Sequence, residues 1–357
     1  MDAGLEKVVA AETVLSDVQG ANGRLIIRGR DVEDLARDFS FEQTASLLWG
    51  GFFDGMPADL HPPLGVARVV AFARLAPDFK RIAALPETEA LRAALSLMPD
   101  GDDLQTAIDL AATMAVATGA IARLKSGGAP LEPDAAAPHD ADLLRMIRGD
   151  APTEAEARAL GAYLVTVCDH GLNASTFVAR CVASTRAGLG SAVIAGLSAL
   201  KGPLHGGAPG PVLDMLDGIG SIGNAEHWIR DALDRGERLM GFGHRVYRTL
   251  DPRAGVLKSV VTGLPACHGR LALAQAIEGR ILQRLAAEKP DRKLDTNVEY
   301  YTAILLEALG APRGLFTCLF ACGRVTGWIA HAREQLATGR LVRPAATYVG
   351  PLPAIAA

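Results

Sequence analysis

Alternating apolar and polar residues, the pattern that a half-buried strand requires, occur in only one short part of this chain. The segment ETVLSDVQGANGRLIIRGRDV places two β-like runs on either side of Gly20-Ala21-Asn22-Gly23. That turn-forming quartet predicts a small hairpin. Elsewhere Ala, Leu, Arg and Glu dominate, residues that lose little side-chain freedom in helices. Start signals recur among them. Ser40-Phe41-Glu42-Gln43 has capping-box spacing before Leu47, Leu48 and Trp49, and Pro152-Thr153-Glu154-Ala155-Glu156 repeats the logic. The second predicts a helix through Ala162, Leu164 and Val165 towards Cys168, and Gly269 to Glu288 reads as one long amphipathic helix ended by Lys289-Pro290. The expected fold class is all-α.

The chain has 357 residues, enough for a large core and for more than one domain. Its 36 basic and 40 acidic side chains give a net charge of −4, without the basic excess that phosphate-backbone binding needs, so no nucleic-acid partner is expected. Ala192 to Leu200 is too short to span a bilayer as a helix. Its glycine and serine predict close packing on other helices. The first residues show no basic region followed by an apolar one, so no secretory signal is read and a cytoplasmic location is expected. The five cysteines have no framework spacing. Cys318 and Cys322, one helical turn apart, read as small apolar residues on a buried face, and no neighbouring His or Cys completes a metal site.

Two stretches read as loops or weakly packed connections. Ser126 to Asp142, rich in Pro, Ala and Asp, carries nothing of note. Gly202 to Pro211 is crowded with Gly and Pro but holds His205 in backbone that can approach a ligand closely.

The chemistry is concentrated in four segments: DHGLNAST from Asp169, GPLHGGA from Gly202, GFGHRVY from Gly241, and NVEYY from Asn297, with Asp251-Pro252-Arg253 shortly after the third. Each alone has a plain structural reading. A lone histidine is commonly a bonded core or cap residue. A Gly-x-Gly pair can be a simple turn, and Glu299 near a helix start suits the helix dipole. Together, three histidines and a carboxylate suit proton transfer and carbonyl polarisation. Arg253, Arg324 and Arg343 add planar forks for carboxylates. The residues alone point to an enzyme acting on a small carboxylated substrate.

These segments, in this order and spacing, resemble the citrate synthase family, which includes 2-methylcitrate synthases. The resemblance extends from Gly4-Leu5-Glu6 through KGPLHGGA, MGFGHRVYRTLDPRA and NVEYYTA to GRVTGWIAHAREQ and RPAATYVG. It implies a homodimer of mostly helical subunits. Residues 1–206 and 305–357 would form a large domain and 207–304 a small one, with the active site in the cleft between them. It implies that acetyl-CoA and oxaloacetate are the substrates, or propionyl-CoA in place of acetyl-CoA, with no metal or redox cofactor.

By motif, Glu299 would be the base that takes a methyl proton from the thioester. His205 would donate to the thioester oxygen, and His244 would polarise the ketone. His170, Arg253 and Arg324 would hold the oxo acid, with Arg343 supplied from the other subunit. Leu239, Met240, Gly241, Phe242 and Gly243 would lie against the CoA adenine, and Arg248 and Lys258 would meet phosphates.

The chain departs from the family at three places. NVEYY replaces NVDFY, which adds one methylene, roughly 1.5 Å of reach, to the base. Arg343-Pro344-Ala345 stands where many members have Arg-Pro-Arg, and Ala208-Pro209 where many have Asn-Glu. A non-catalytic relative that binds oxaloacetate or CoA as a sensor is the alternative these departures raise.

Overall fold

The computed structural model describes residues 4, 5, 8–206, 209–244, 246, 247, 249–264, 268–289 and 294–351. Three strands, β1 (Ser16–Gln19), β2 (Arg24–Ile27) and β3 (Arg30–Asp31), form one antiparallel sheet in the order β1-β2-β3. Ser16 pairs with Ile27 and Gln19 with Arg24, so Gly20 to Gly23 is the hairpin turn that its composition predicts. Gly23 adopts φ 64°, a left-handed conformation open to glycine.

The other long elements among the described residues are helices. The first group is α1 (Val32–Asp38), α2 (Phe41–Trp49), α3 (His61–Leu75), α4 (Phe79–Ala83), α5 (Glu87–Ser96), α6 (Leu104–Lys125), α7 (His139–Arg148) and α8 (Glu154–Thr166). There follow α9 (Ala174–Ala183), α10 (Leu189–Leu200), α11 (Pro209–Ile219), α12 (Ile222–Asp234), α13 (Pro252–Thr262), α14 (His268–Glu288), α15 (Val298–Ala308) and α16 (Phe316–Thr338).

Both predicted capping boxes form. Ser40 Oγ accepts from the Gln43 amide and Gln43 reaches back to the Ser40 amide; Thr153 and Glu156 do the same. Each box satisfies two backbone donors that a helix start would otherwise leave unpaired.

The core is built around α16 and α6. Helix α16 packs on α2, α6, α8, α9 and α10, and buries Cys318, Cys322, Val325, Trp328 and Ile329. Gly196 of α10 lets that helix close on α16, because a Cβ there would lie 2.9 Å from the Trp328 ring. This is the close packing that the small residues of Ala192 to Leu200 predict. Helix α6 is the one helix among the described residues long and apolar enough to cross a membrane, yet 83% of its apolar stretch is buried inside the protein. It is a core helix.

The stretch Ser126 to Asp142 is irregular and at most half-buried up to residue 138, as expected, and departs from expectation at its end: α7 begins at His139, and His139 and Asp142 are fully buried. Asp142 Oδ2 accepts from Arg68 Nε of α3 at 2.8 Å, and both side chains are shut away from solvent. Arg68 also donates to the carbonyls of Asp134 and Ala137 at 2.9 and 2.7 Å, which ties the connection down. The His139 ring stacks on Phe41 at 4.2 Å, and its amide donates to Glu42. Gly202 to Pro211 also ends sooner than expected, since α11 starts at Pro209.

Candidate active site

The loop 241–243 and the loop before α15 pair like two short strands. Phe242 bridges Thr296, the Gly243 amide donates to Asp295, and the Asn297 amide donates to Gly241 at 2.9 Å. Gly241 and Gly243 have φ of 85° and 79°, and a Cβ on Gly241 would lie 2.8 Å from Tyr300. Glycine is required there for conformation and for space. This pairing brings His244, at the end of one loop, to the helix start that carries Glu299.

Glu299 lies in the first turn of α15. Asn297 caps that turn by accepting from the Glu299 amide at 3.0 Å, while its own amide group donates to the Gly243 carbonyl at 2.8 Å. Glu299 Oε2 is buried without a hydrogen-bond partner. Burial pushes its pKa up to about 7, against the pull of Arg253 and Arg324. A buried carboxyl poised near neutrality, with a free lone pair, is suited to accept a proton.

His205 follows α10 in a tight turn held by its own amide, which donates to Gly202 at 2.9 Å. Its Nε2 lies 2.8 Å from Ser175 Oγ and accepts from the Ser175 amide at 3.3 Å. Trp328 Nε1 in turn donates to Ser175 Oγ at 3.1 Å. A nitrogen that accepts from a backbone amide carries no proton, so in the neutral ring the proton lies on Nδ1. Burial lowers the pKa of His205 to about 4, with Arg324 and Arg253 adding to it. The ring is therefore a neutral donor at physiological pH.

His244 is set the other way round. Its Nδ1 accepts from the amides of Val246 and Tyr247 at 3.0 and 3.1 Å, which leaves the proton on Nε2. Burial and Arg253 lower its pKa to about 4. Nε2 stands 3.3 Å from Arg253 Nη2. Two donors facing each other do not bond; they suit one acceptor oxygen lying between them.

Arg253 is fixed in the first turn of α13. Its guanidinium donates to both oxygens of the capping Asp251, at 3.0 and 2.9 Å, and Asp251 also accepts from the Val298 amide. One carboxylate thus joins the starts of α13 and α15, and with them Arg253 and Glu299.

His170 sits in the turn after α8, only 8% exposed, with Nε2 3.1 Å from Tyr247 Oη. Its ring centroid is 5.5 Å from that of His244. The turn is anchored by Ser16 Oγ, which accepts from the Gly171 amide, and by Asp169, which accepts from Ser16 and His331. Gly327 permits this, because a Cβ there would lie 2.2 Å from the Cys168 carbonyl. Burial, and then Arg253, His244 and Arg324, hold His170 well below its usual pKa.

Arg324 of α16 is 1% exposed, donates to the Val167 carbonyl at 2.6 Å and lies over the Phe320 ring. No ion pair ties it to a carboxylate among the described residues, and burial lowers its pKa to about 10. The cluster thus holds a guanidinium without an ion-pair partner beside three neutral imidazoles, a field that favours an anion.

His170, His205, His244, Arg253, Arg324 and Glu299 therefore gather in one place. Arg343 does not join them in the single chain. It is exposed on the tail beyond α16, which passes α9 where the Val342 amide donates to Ser184. Leu239 and Phe242 pack inward, Phe242 edge-on to Tyr300 at 5.2 Å, and Met240 is half-buried. Lys258 pairs with Glu278 at 2.8 Å. Arg248 and Ala208 lie outside the described residues. Sequence reasoning assigns no role to Ser175, Tyr247, Asp251 or Asn297. Two of them had a legible signal, since Asp251 and Asn297 each stand one residue before a helix start, where Asx residues cap.

The family profile described as "Citrate synthase, C-terminal domain" matches residues 4–345. The citrate synthase of Haloferax volcanii is 38% identical over 97% of this chain and 95% of its own length. A 2-methylcitrate synthase of Mycobacterium tuberculosis is 34% identical over 97% of this chain and 90% of its own length. The solved structure of the citrate synthase of Thermoplasma acidophilum, in ternary complex with carboxymethyl coenzyme A and oxaloacetate, superposes with a TM-score of 0.86. It is 29% identical and covers 100% of this chain and 98% of that one.

Proposed function

This chain belongs to the citrate synthase family of acyltransferases, and we propose that it condenses acetyl-CoA with oxaloacetate and hydrolyses the product to citrate and CoA. The observation that carries this reading is the convergence of two neutral imidazole donors, an unpaired buried carboxylate and two guanidinium groups. Glu299 accepts a proton from the acetyl methyl group while His205 donates from Nδ1 to the thioester oxygen, so the enol forms without a free carbanion. The donors are in place before charge develops on that oxygen, which is where a fixed dipole is most effective. The enol carbon then attacks the ketone of oxaloacetate, whose oxygen lies between His244 Nε2 and Arg253 Nη2. His170 and Arg324 hold the carboxylates, and hydrolysis of the condensed thioester releases citrate and CoA.

The same reading divides the chain into a large domain of residues 1–206 and 305–357 and a small domain of 207–304. It makes the protein a homodimer in which the partner subunit supplies a second copy of Arg343. The exposed tail that bears Arg343 supports this, since the side chain lies apart from the site of its own chain.

The test is CoA release, followed with a thiol reagent, in the presence of oxaloacetate and either acetyl-CoA or propionyl-CoA. Turnover with a higher kcat/KM for acetyl-CoA is expected. One methylene in an apolar pocket is worth about 1–3 kcal/mol, so a propionyl preference of tenfold or more would make the chain a 2-methylcitrate synthase, as the relative at 34% identity is named. Binding of oxaloacetate without turnover of either thioester would favour a sensor.

A pH profile follows from the same assignment. Glu299 must be ionised to act, so kcat/KM should fall with a slope of one below a midpoint near 7 and level off above it. His205 and His244, lowered to about 4, stay neutral across that range and add no limb of their own. A flat profile between pH 6 and 8 would remove Glu299 from the role of base.

A further inference from the structure

We propose that Glu278 is a positioning residue for the reaction: it clamps the start of α15 against α13 and α14 and so fixes where the Glu299 carboxylate reaches. The inference rests on the reading of Glu299 as the base.

Glu278 lies in the middle of α14 and is 6% exposed. Its two oxygens take three partners, from α13, α15 and the loop before α15. Oε1 accepts from Thr296 Oγ1 at 2.7 Å, while Oε2 accepts from Tyr301 Oη at 2.6 Å and from Lys258 Nζ at 2.8 Å. Thr296 stands three residues before Glu299 and Tyr301 two after it, so the clamp grips the base-bearing turn on both sides. Lys258 lies on α13, the helix whose first turn holds Arg253, and its ammonium sits over the Tyr301 ring at 5.3 Å. One carboxylate therefore sets the distance between the element that carries the base and the element that carries the guanidinium beside His244.

A second tether points the same way. Tyr300 Oη donates to the Ala274 carbonyl of α14 at 2.6 Å, one helical turn from Glu278. The hydroxyl groups of both tyrosines thus tie the first turn of α15 to α14. None of these groups bonds the Glu299 side chain, so Glu278 acts through the backbone of the turn and not on the substrate. A glutamate carries its carboxylate at the end of a longer and freer stem than an aspartate. Its placement depends all the more on a fixed turn beneath it.

The experiment compares wild type, Glu278→Ala, Tyr301→Phe and Glu299→Gln for kcat, KM for both substrates, thermal midpoint, and the isotope effect on kcat with trideuterated acetyl-CoA. A misplacement near 1 Å costs on the order of a hundredfold in rate. Glu278→Ala should accordingly lose about 10- to 100-fold in kcat, with the KM for oxaloacetate within about threefold of wild type. Tyr301→Phe, which removes one hydrogen bond and opens no cavity, should lose about three- to tenfold. In both, the isotope effect should rise above wild type, because proton removal becomes slower than the later steps. A residue that only holds up the fold would lower the midpoint and leave the isotope effect where it was. An unchanged isotope effect in Tyr301→Phe, with Glu299→Gln inactive, overturns the clamp and leaves the base in place. Activity retained by Glu299→Gln overturns the reading of the base and the clamp with it.

Discussion

Glu299→Gln lowers kcat about a thousandfold and at the same time makes the protein more resistant to heat at pH 8. Under the proposed function, the first effect follows from losing a positioned general base, whose contribution lies in the range of about 10²–10⁴. The amide keeps the shape of the side chain and the cap from Asn297, so the loss reads proton transfer and not a collapsed site. The second effect follows from the raised pKa. Burial lifts the carboxyl from its ordinary value of 4.5 to about 7. The folded state thus holds the proton more tightly than the unfolded chain does. The contribution to stability is fully present below the unfolded value and is lost as pH rises through about 7. At pH 8 the wild-type protein carries a buried charge that glutamine lacks, at a cost on the order of 3 kcal/mol. Melting curves of the two proteins at pH 8 and pH 5 check this. The advantage of the variant should be clear at the first and shrink at the second. Equal midpoints at pH 8 would mean that the carboxylate is better solvated than its burial indicates.

Asp142→Ala destabilises the fold by about 3–5 kcal/mol and leaves turnover per folded molecule unchanged. Removing one member of a buried ion pair strands the charge of the other, which is why the cost exceeds that of a surface pair. Arg68 is 0% exposed, and without Asp142 its remaining partners are the carbonyls of Asp134 and Ala137 and the His139 ring. That ring stays neutral, because burial and then Arg68 hold its pKa down to about 3, so it can accept a hydrogen bond but supplies no counter-charge. Chemical denaturation should show the loss as a shift in midpoint with little change in slope. Pairing the change with Arg68→Met should cost less than the sum of the two single changes, since the contacting charges share one interaction. Additive costs, or a fall in kcat at temperatures where the variant is folded, would contradict this account.

That ion pair also marks where the sequence stopped being informative. Helix starts were legible because a cap and its partner lie three residues apart, as in Ser40 with Gln43 and Thr153 with Glu156. The hairpin was legible for the same reason, since Gly20 to Gly23 act on their own neighbours. Asp142 was not. Its surroundings of Pro, Ala and Asp resemble a solvated loop, and its buried partner Arg68 lies 74 residues away. The gathering of histidines and arginines was legible through ordered motifs. How each ring is held was not, because the proton position on His205 depends on the Ser175 amide and that on His244 on the amides of Val246 and Tyr247. These are facts of backbone direction, which residue types do not encode. Arg343 illustrates a further limit, as a single chain leaves it exposed on the tail.

Arg324 has a consequence for the lifetime of the protein. Its guanidinium is buried with a carbonyl and an aromatic ring for company; the field of Asp169 reaches it, but no carboxylate among the described residues forms an ion pair with it. Under the proposed function, a dicarboxylate bound beside Arg324 supplies the ion-pair partner, so the oxo acid acts as a folding partner as well as a reactant. By mass action, a ligand at about a hundred times its dissociation constant adds about 2.7 kcal/mol to the folded state. Under the proposed assignment, the standing population of intact enzyme rises and falls with the supply of its own substrate, and scarcity of the oxo acid leaves the chain most open to heat and proteolysis.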